Sequence, residues 1–275
     1  MPTQPAPLYD PARVAPAFAL RYSWSAWCAD HRPFPPQTPG LIAALVPAWE
    51  ADGLRVLETH LKKDLVQILF STTPIIAPIF IGARAKGRLD HAFRQASLPV
   101  SFSRKLAVRS IGANSRDAVQ HYVSQQVAKE NYCDPRWAAL FQELLIENPK
   151  VNLSQPRESA RGRYWNCLHI VLVTEERQPI EDAATLRTIR DACLKIAAKK
   201  DCMISRLAVL PDHLHLALSA PPEMSPAEVV GAFQNNLAFV LGQRRVWRDT
   251  YYAGTFGDYD MQAVRRVAAG REGGG

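Results

Sequence analysis

Hydrophobic and polar positions along this chain change between strand-like and helix-like spacing in a regular order. Residues 18–28 are rich in aromatics and partly alternating, which is typical of a β-strand. Thr38-Pro39 then has the residue types of a helix start. The elements predicted next are strands 54–61 and 65–71, a helix over 77–96, a strand over 102–111 and a helix from 115 or 116 to about 129.

The same order of elements recurs in the second half. A connecting helix over 134–147 and a polar linker over 148–163 lead into it. The elements predicted there are strand 165–174, helix 183–200, strands 204–210 and 213–219, helix 226–243, a β-like stretch to 257 and a helix near Met261. Each half therefore reads strand-helix-strand-strand-helix-strand-helix, and such recurrence calls for a test of internal repetition.

Residue identities support a repeat. A shift of 148 residues needs no gap from Leu20 to Leu89, and it pairs Asp64 with Asp212. Near the end of each half, a shift of 145 residues pairs Gly112 with Gly257. A register that persists over a whole domain predicts two copies of one α+β unit.

Composition agrees with two globular domains. The chain has 275 residues, of which 47% are hydrophobic and 21% charged, and this length suits two domains better than one. No apolar run approaches the ~18–20 residues of a membrane span. The start of the chain lacks the basic and apolar regions of a signal peptide. We therefore expect a cytoplasmic protein without a membrane partner.

Net charge and cysteine content place only weak limits on the function. The net charge of +7 permits a polyanionic partner. The cysteines form no CxxC pair, and their number, 5, is odd, so buried thiols are expected rather than a disulfide framework or a zinc knuckle.

The first candidate chemistry lies in strand 213–219. His213 and His215 are two residues apart, so both imidazoles leave the strand on the same face and can reach one divalent ion. Such a pair alone is weak support for a metal site. The preceding Asp212 is either an anchor for a ligand histidine or a turn residue.

The sequence around these histidines resembles a known family. LPDHLHLAL (210–218) is similar to the signature of the HUH tyrosine transposases of single-stranded insertion sequences, including the REP-associated tyrosine transposases. The segments 169–180 and 247–257 resemble the first strand of that family and the segment before its catalytic helix. The resemblance implies a ferredoxin- or RRM-like antiparallel sheet that carries the two histidines. It also implies a later helix with a nucleophilic Tyr and a Gln four residues on.

The second copy departs from the family pattern. Val267 stands where the Tyr belongs, and Arg271 stands where the Gln belongs. This half alone lacks a nucleophile.

The first copy has the opposite defect. Leu65 and Gln67 occupy the two histidine positions. Its last predicted helix carries Tyr122 and Gln126, and Tyr122 corresponds to Val267 under the shift of 145 residues. Because i and i+4 lie on one helix face, this pair has the family's Tyr-Gln arrangement.

Family dimers join the histidines of one subunit to the tyrosine helix of the other. The complementary losses therefore predict a dimer fused in one chain, with two tandem domains packed against each other and one composite site. The expected boundaries are 1–130 for a degenerate domain that retains the Tyr-Gln helix, 131–163 for a helical connector and linker, and 164–275 for the domain with the His-x-His strand. We expect a monomer, although further dimerisation stays open.

The resemblance implies metal-dependent cleavage and rejoining of single-stranded or hairpin DNA. Mg²⁺ or Mn²⁺ would be held by His213, His215 and Gln126, and Tyr122 would form a 5′-phosphotyrosine intermediate. Such a site requires Tyr122 to approach the histidines to within about 10 Å, since a nucleophile must reach the metal-bound phosphate.

DNA binding is expected from cations in both copies, which implies association with the nucleoid. The candidates for phosphate contacts are Arg84, Lys86, Arg88, Arg94, Arg244, Arg245 and Arg248. Two alternatives remain at this stage: a catalytically inactive, domesticated DNA-binding protein, and an RNA-binding protein of RRM-like fold with exposed aromatics and no metal.

Overall fold

A computed structural model describes residues 7–10, 12–129, 135–242 and 245–258. The elements of the first part of the chain are β1 (Ala15–Ala19), β2 (Arg21–Cys28), α1 (Thr38–Ala51), β3 (Leu54–Lys62), β4 (Leu65–Thr72), α2 (Pro78–Gln95), β5 (Phe102–Ile111) and α3 (Arg116–Lys129). The remaining elements are α4 (Pro135–Leu144), β6 (Ile146–Glu147), β7 (Arg157–Glu158), β8 (Gly162–Trp165), β9 (Cys167–Thr174), α5 (Ala183–Lys199), β10 (Met203–Val209), β11 (His213–Ser219), α6 (Pro226–Val240) and β12 (Trp247–Thr255). The helix predicted near Met261 lies outside the described residues.

Helix starts have local causes in the sequence. Proline stands in the first turn of α1, α2 and α6, where its missing N–H costs no helical hydrogen bond. At the start of α6, Ser225 and Glu228 form a capping box. At the start of α5, the Asp182 carboxylate accepts two backbone N–H bonds. These caps satisfy donors that a helix leaves unpaired.

Each half builds a four-stranded antiparallel sheet. The strand orders are β5-β2-β4-β3 and β12-β9-β11-β10. In both, the helices of the strand-helix-strand units connect strands in the order of a ferredoxin-like unit. The α+β fold class with antiparallel sheets is confirmed.

The two sheets exchange a short strand. β1 pairs in parallel with β12 of the second sheet, and β8 pairs in parallel with β5 of the first sheet. The predicted strand 18–28 is therefore divided at Leu20, where the chain crosses from one sheet to the other. The segment predicted as a linker, 148–163, contains β7 and the start of β8, because the edge of β5 offers backbone partners to β8 and β8 offers them to β7.

Hydrogen bonds between the halves occur in reciprocal pairs. The Ile79 N–H donates to the Pro222 carbonyl at 2.9 Å, and the Ala227 N–H donates to the Pro74 carbonyl at 2.9 Å. The shift of 148 residues relates these two bonds. Likewise, the Ser110 hydroxyl donates to the Phe256 carbonyl at 2.7 Å, and the Thr255 hydroxyl donates to the Ile111 carbonyl at 2.6 Å, which the shift of 145 residues relates. The contact between the halves is thus approximately symmetric.

The two faces of the second sheet have different coverings. Leu214, Leu216 and Leu218 pack into the main core, on the side of α5 and α6. The opposite face carries Ala208 and Ala217, which pack with Val119 and Val123 of α3. The last helix of the first half therefore lies across the sheet of the second half.

Candidate active site

Strand β11 places His213 and His215 on the face that α3 covers. The two ring centroids are 5.0 Å apart. The Asp212 carboxylate lies 2.5 Å from Nδ1 of His213, which leaves Nε2 of that ring to face the cavity described below. Asp212 therefore holds the orientation of the His213 ring.

A third histidine lies beside this pair. His169 is on the adjacent strand β9, and its Nε2 is 3.1 Å from Nδ1 of His215. The rings are stacked, with centroids 5.3 Å apart and an angle of 14° between their planes. Burial lowers the pKa of His169 to about 4, so this ring is neutral near pH 7.

Helix α3 brings Tyr122 to the histidines. Its ring centroid is 5.6 Å from that of His215 and 5.8 Å from that of His169, both in edge-on arrangements. These distances are well inside the limit of about 10 Å that a composite site requires. The approach follows from the helix period, because Val119 and Val123 dock on the sheet and Tyr122 lies next to that buried stripe.

Gln126 follows Tyr122 by one helical turn and is largely buried. Its side-chain amide donates to the Tyr122 carbonyl at 2.8 Å, which orients the side chain. Both residues line one cavity of about 620 Å³ together with all three histidines. The other lining residues are Asn114, Ala118, Val119, Val171, Val173, Arg177 and Tyr252.

A strained turn adds Arg177 to this cavity. Glu176 and Arg177 have positive φ values of 52° and 57°, a region that costs roughly 1–2 kcal/mol for a residue other than glycine. The Thr174 hydroxyl supports the turn through contacts with the carbonyls of Gln178 and Asp212. Arg177 donates to the Asp212 carboxylate at 3.1 Å. One carboxylate therefore joins this cation to His213.

The cavity contains side-chain donor atoms of the types that bind divalent ions. Among the residues that the structure describes, no group of three or more His, Cys, Asp and Glu side chains is spaced to hold a metal. The candidate donor set is of another kind, two imidazoles and the amide oxygen of Gln126. Nitrogen and oxygen donors of this type fit first-row divalent ions, and the Asp212 contact is the type of support that ligand histidines have.

Sequence comparison identifies the part of the chain that carries the histidines. Residues 164–267 match the model of the family described as "Transposase IS200 like". Residues 164–267, called the IS200-like domain below, are similar to this transposase family. This confirms the resemblance to the tyrosine transposases of insertion sequences.

Curated relatives of this IS200-like domain carry the same name. The chain is 27% identical over 105 residues to the transposase for insertion sequence element IS200 of Salmonella typhimurium, covering 34% of this chain and 69% of that protein. The Salmonella typhi transposase for the same element gives the same values.

Two solved structures resemble part of the chain. A protein from Deinococcus radiodurans R1 described as a transposase is 19% identical, with a TM-score of 0.30, over 38% of this chain and 88% of its own. A REP-associated tyrosine transposase bound to a REP hairpin is 13% identical, with a TM-score of 0.31, over 39% of this chain and 68% of its own. Separately, no helix in the described parts of the chain has the length and apolar character to cross a membrane.

The corresponding face of the first sheet differs from that of the IS200-like domain. Leu65 and Gln67 replace the histidine pair, and the Gln67 amide donates to the Ser23 hydroxyl at 2.7 Å. Two imidazoles are thus replaced by an apolar group and an internally bonded amide. Val267 and Arg271 lie outside the described residues.

The cations predicted to bind DNA are dispersed. Arg88 donates to Asp52 at 2.7 Å, with Arg84 at 4.0 Å from the same carboxylate. Arg94 pairs with Asp90 at 3.6 Å, and Arg245 pairs with Asp249 at 2.7 Å. Lys86 lines a separate groove, and Arg248 is half-buried. None of these described cations lines the cavity of Tyr122, and Arg244 lies outside the described residues.

The sequence interpretation assigned no role to two residues of this cavity, namely His169 and Arg177. His169, Val171 and Val173 alternate with buried residues along β9, as do Tyr252 and its neighbours along β12. The alternation predicts which face they share, but only strand pairing shows that this face is also that of His215. The four described cysteines, Cys28, Cys167, Cys193 and Cys202, are free and buried as expected.

Proposed function

We propose that this chain is a metal-dependent DNA endonuclease and strand transferase with one composite active site. The observation that supports it best is the distance of 5.6 Å between the ring centroids of Tyr122 and His215. These residues belong to different halves of the chain. The second half has Val267 at the position that corresponds to Tyr122, and the first half has Leu65 and Gln67 at the positions that correspond to the two histidines.

We further propose that the chain is a dimer fused by duplication. The reciprocal exchange of β1 and β8 supports this arrangement, as do the paired hydrogen bonds of Ser110 and Thr255. In a symmetric pair of subunits, each contact between the subunits occurs twice. In this chain the second cavity would have Leu65 and Gln67 in place of the histidines, so a single site remains.

The proposed reaction is a phosphoryl transfer to Tyr122. Its phenolic oxygen attacks the phosphorus of a phosphodiester, and the bond between phosphorus and the 3′-oxygen breaks. The phenol loses a proton, and the departing 3′-oxygen takes one to become a hydroxyl. The product is a 5′-phosphotyrosine, which keeps the bond energy for rejoining when a 3′-hydroxyl attacks in turn.

The histidines and Gln126 would hold a divalent ion, Mg²⁺ or Mn²⁺. When bound, such an ion supplies polarisation of a non-bridging phosphate oxygen. The protein's own contribution is orientation. Asp212 holds the His213 ring, the stacked His169 restricts the His215 ring, and the Gln126 amide is anchored on the backbone of α3.

Single-stranded or hairpin DNA is the proposed substrate. The IS200-like domain supports a DNA partner, and the net charge of +7 favours a polyanion. Tyr122 is 42% exposed, so a flexible unpaired strand can reach this side chain without opening the fold.

The test is a covalent adduct with hairpin and single-stranded oligonucleotides in Mn²⁺, detected on a denaturing gel. We expect an adduct with the wild-type protein and a loss of at least about 1,000-fold with Tyr122→Phe, because the nucleophilic oxygen is removed. His213→Ala should give a comparable loss. Tyr252→Phe is the matched control, since it removes a hydroxyl from the same cavity and should keep the adduct.

An adduct that persists in Tyr122→Phe would contradict the assignment of the nucleophile. DNA binding without any adduct would favour an inactive DNA-binding protein. Preferential binding of single-stranded RNA, with no effect of Mn²⁺, would favour the RRM-like alternative.

A further inference from the structure

Arg177 places a permanent positive charge in the cavity of Tyr122. Among the described residues that line this cavity, it is the one arginine or lysine. The other polar groups there are neutral or weakly basic, namely two phenols, three imidazoles and the amides of Gln126 and Asn114. An anionic group that enters the cavity therefore meets one fixed cation of the protein.

The guanidinium of Arg177 is held by one of its nitrogens. Nη1 donates to Oδ2 of Asp212 at 3.1 Å, and Oδ1 of the same carboxylate lies 2.5 Å from Nδ1 of His213. Within the described part of the protein, this is the only hydrogen bond that the Arg177 side chain makes. An arginine has five N–H donors, and this side chain is 63% exposed. Donors therefore remain for a ligand while Asp212 keeps the group beside His213.

The strand register shows which residue of the first half corresponds to Arg177. Trp27 of β2 lies opposite Leu65 of β4, and Val173 of β9 lies opposite His213 of β11. Leu65 occupies the position of His213. Trp27 therefore corresponds to Val173.

His31 is the counterpart of Arg177. It follows Trp27 by four residues, as Arg177 follows Val173. Both have a positive φ, 56° and 57°, which is uncommon for residues other than glycine. The shift of 148 residues would pair Arg177 with Ala29 instead. That shift does not hold here, because the second half has two more residues between the paired strands.

His31 and Arg177 also have the same partner. His31 lies 2.7 Å from the Asp64 carboxylate through Nδ1, and Asp64 corresponds to Asp212. The turn and its aspartate are thus kept in both halves, with an imidazole in one and a guanidinium in the other. Folding of this turn does not require an arginine.

The arginine occurs in the half that has the histidine pair. In the first half, where Leu65 and Gln67 replace those histidines, its place is taken by His31. A guanidinium is longer than an imidazole, stays charged, and can donate two parallel N–H bonds to two oxygens of a phosphate. The difference between the halves therefore relates Arg177 to the chemistry of the cavity rather than to the fold.

The proposed reaction develops the charge that such a group stabilises. A phosphodiester carries one negative charge on its two non-bridging oxygens. As the bond from the Tyr122 oxygen to phosphorus forms, a second negative charge enters the group, and it leaves with the electron pair of the bond to the 3′-oxygen. A cation already in position at the non-bridging oxygens lowers this barrier without reorganisation. Arg177 itself transfers no proton.

We propose that Arg177 is a catalytic residue whose guanidinium binds a non-bridging oxygen of the phosphate that Tyr122 attacks. The proposal rests on the proposed function for the identity of the reaction. It also gives Asp212 two tasks, since one carboxylate oxygen orients His213 and the other positions Arg177.

The first test measures phosphate binding and does not depend on cleavage. Isothermal titration calorimetry follows the addition of inorganic phosphate at pH 8, where a histidine side chain is neutral, with and without Mg²⁺. The affinity of Arg177→His should be about tenfold or more below that of the wild type, because a charge-assisted contact is lost. Arg163→Ala removes one positive charge elsewhere, from an arginine that pairs with Glu158 at 3.0 Å, and should keep the wild-type affinity.

The second test measures the single-turnover rate of adduct formation in Mn²⁺. Arg177→His reproduces the side chain of the first half, so it should fold normally and lower the rate about 100-fold or more. Its Mn²⁺ affinity should equal that of the wild type, whereas a purely structural role through Asp212 and His213 would lower that affinity. Arg177→Lys keeps the charge and should recover part of the rate. His31→Ala removes the corresponding contact of the first half and should leave the rate unchanged.

A neutral substrate gives a further readout of the same contact. A methylphosphonate at the cleaved position replaces one non-bridging oxygen with a methyl group, which removes the charge that Arg177 stabilises. With the natural phosphate, the wild type should be about 100-fold faster than Arg177→His. With one of the two methylphosphonate stereoisomers, this ratio should fall below about 10.

Wild-type phosphate affinity in Arg177→His would overturn the proposal, whatever the adduct assay gives. The absence of measurable phosphate binding by the wild-type protein would overturn it too, as would a loss of Mn²⁺ affinity as large as the loss of rate. Phosphate binding that depends on Arg177, without an adduct in the wild-type protein, would support the phosphate contact and contradict the proposed cleavage.

Discussion

At the residue scale, the orientation of His215 depends on a neighbour that the sequence does not single out. His169 stacks on His215 and lies 3.1 Å from its Nδ1. A hydrogen bond at Nδ1 fixes the tautomer of a ligand histidine and leaves Nε2 for an ion. His169 therefore acts in the proposed site as a positioning residue.

His169→Leu tests this role. We expect Mn²⁺ affinity to fall about 10-fold to 100-fold, the range for lost supports of ligand histidines, because Leu fills similar space and accepts no hydrogen bond. Isothermal titration calorimetry measures the affinity, and thermal melting controls for folding. His169→Gln keeps a hydrogen-bond acceptor and should retain part of the Mn²⁺ affinity. Unchanged Mn²⁺ affinity in His169→Leu would contradict the positioning role.

At the scale of elements, α3 reaches the second sheet because the chain passes through a tight crossing. A Cβ on Gly112 would lie 2.3 Å from the Thr255 carbonyl oxygen, and one on Gly257 would lie 2.4 Å from the Ser110 carbonyl oxygen. Both neighbours are backbone atoms that cannot rotate away. The absence of a side chain at these two positions lets the ends of β5 and β12 pass each other.

Gly112→Ala should lower the free energy of unfolding by about 1–3 kcal/mol, the usual cost of overpacking, measured by urea denaturation. It should also lower the yield of the Tyr122 adduct, because α3, which carries Tyr122, begins at Arg116, shortly after the crossing. Gly87→Ala is the control. It lies inside α2 with nothing within 4 Å of a new Cβ, and it should raise stability by about 0.5–1 kcal/mol. Equal stabilities of both variants and the wild type would show that the crossing tolerates a side chain.

At the scale of the whole molecule, the two halves share one continuous hydrophobic core. The exchanged strands β1 and β8 add backbone pairing across the same boundary. The residues of the proposed site meet within one chain as a result. Catalysis should therefore need no second copy of the protein.

Mixing variants checks this expectation. Tyr122→Phe chains and His213→Ala chains, combined in equal amounts, should form no more adduct with DNA than either variant alone. The reason is that the single site of each chain lacks one of the residues it needs. A mixture of wild-type protein with either variant should keep the wild-type yield per active chain. Recovery of activity in the mixture of variants would mean that the site assembles between chains.

Local patterns in the sequence predicted the order of elements, an internal repeat and the candidate site residues His213, His215 and Tyr122. These features depend on spacings of two or four residues and on a constant shift between the halves, so they are readable without the fold. The recognition of the IS200-like domain belongs to the same level, because it depends on contiguous strings.

Only the tertiary structure decided which parts meet. The crossing at Gly112 and Gly257, the exchange of β1 and β8, and the contact of His169 with His215 all join residues distant in sequence. The same is true of Tyr9, whose hydroxyl bonds to the backbone of Trp247. Such contacts depend on the packing of complete elements against each other, and the periodicity of a single segment carries no information about its partner.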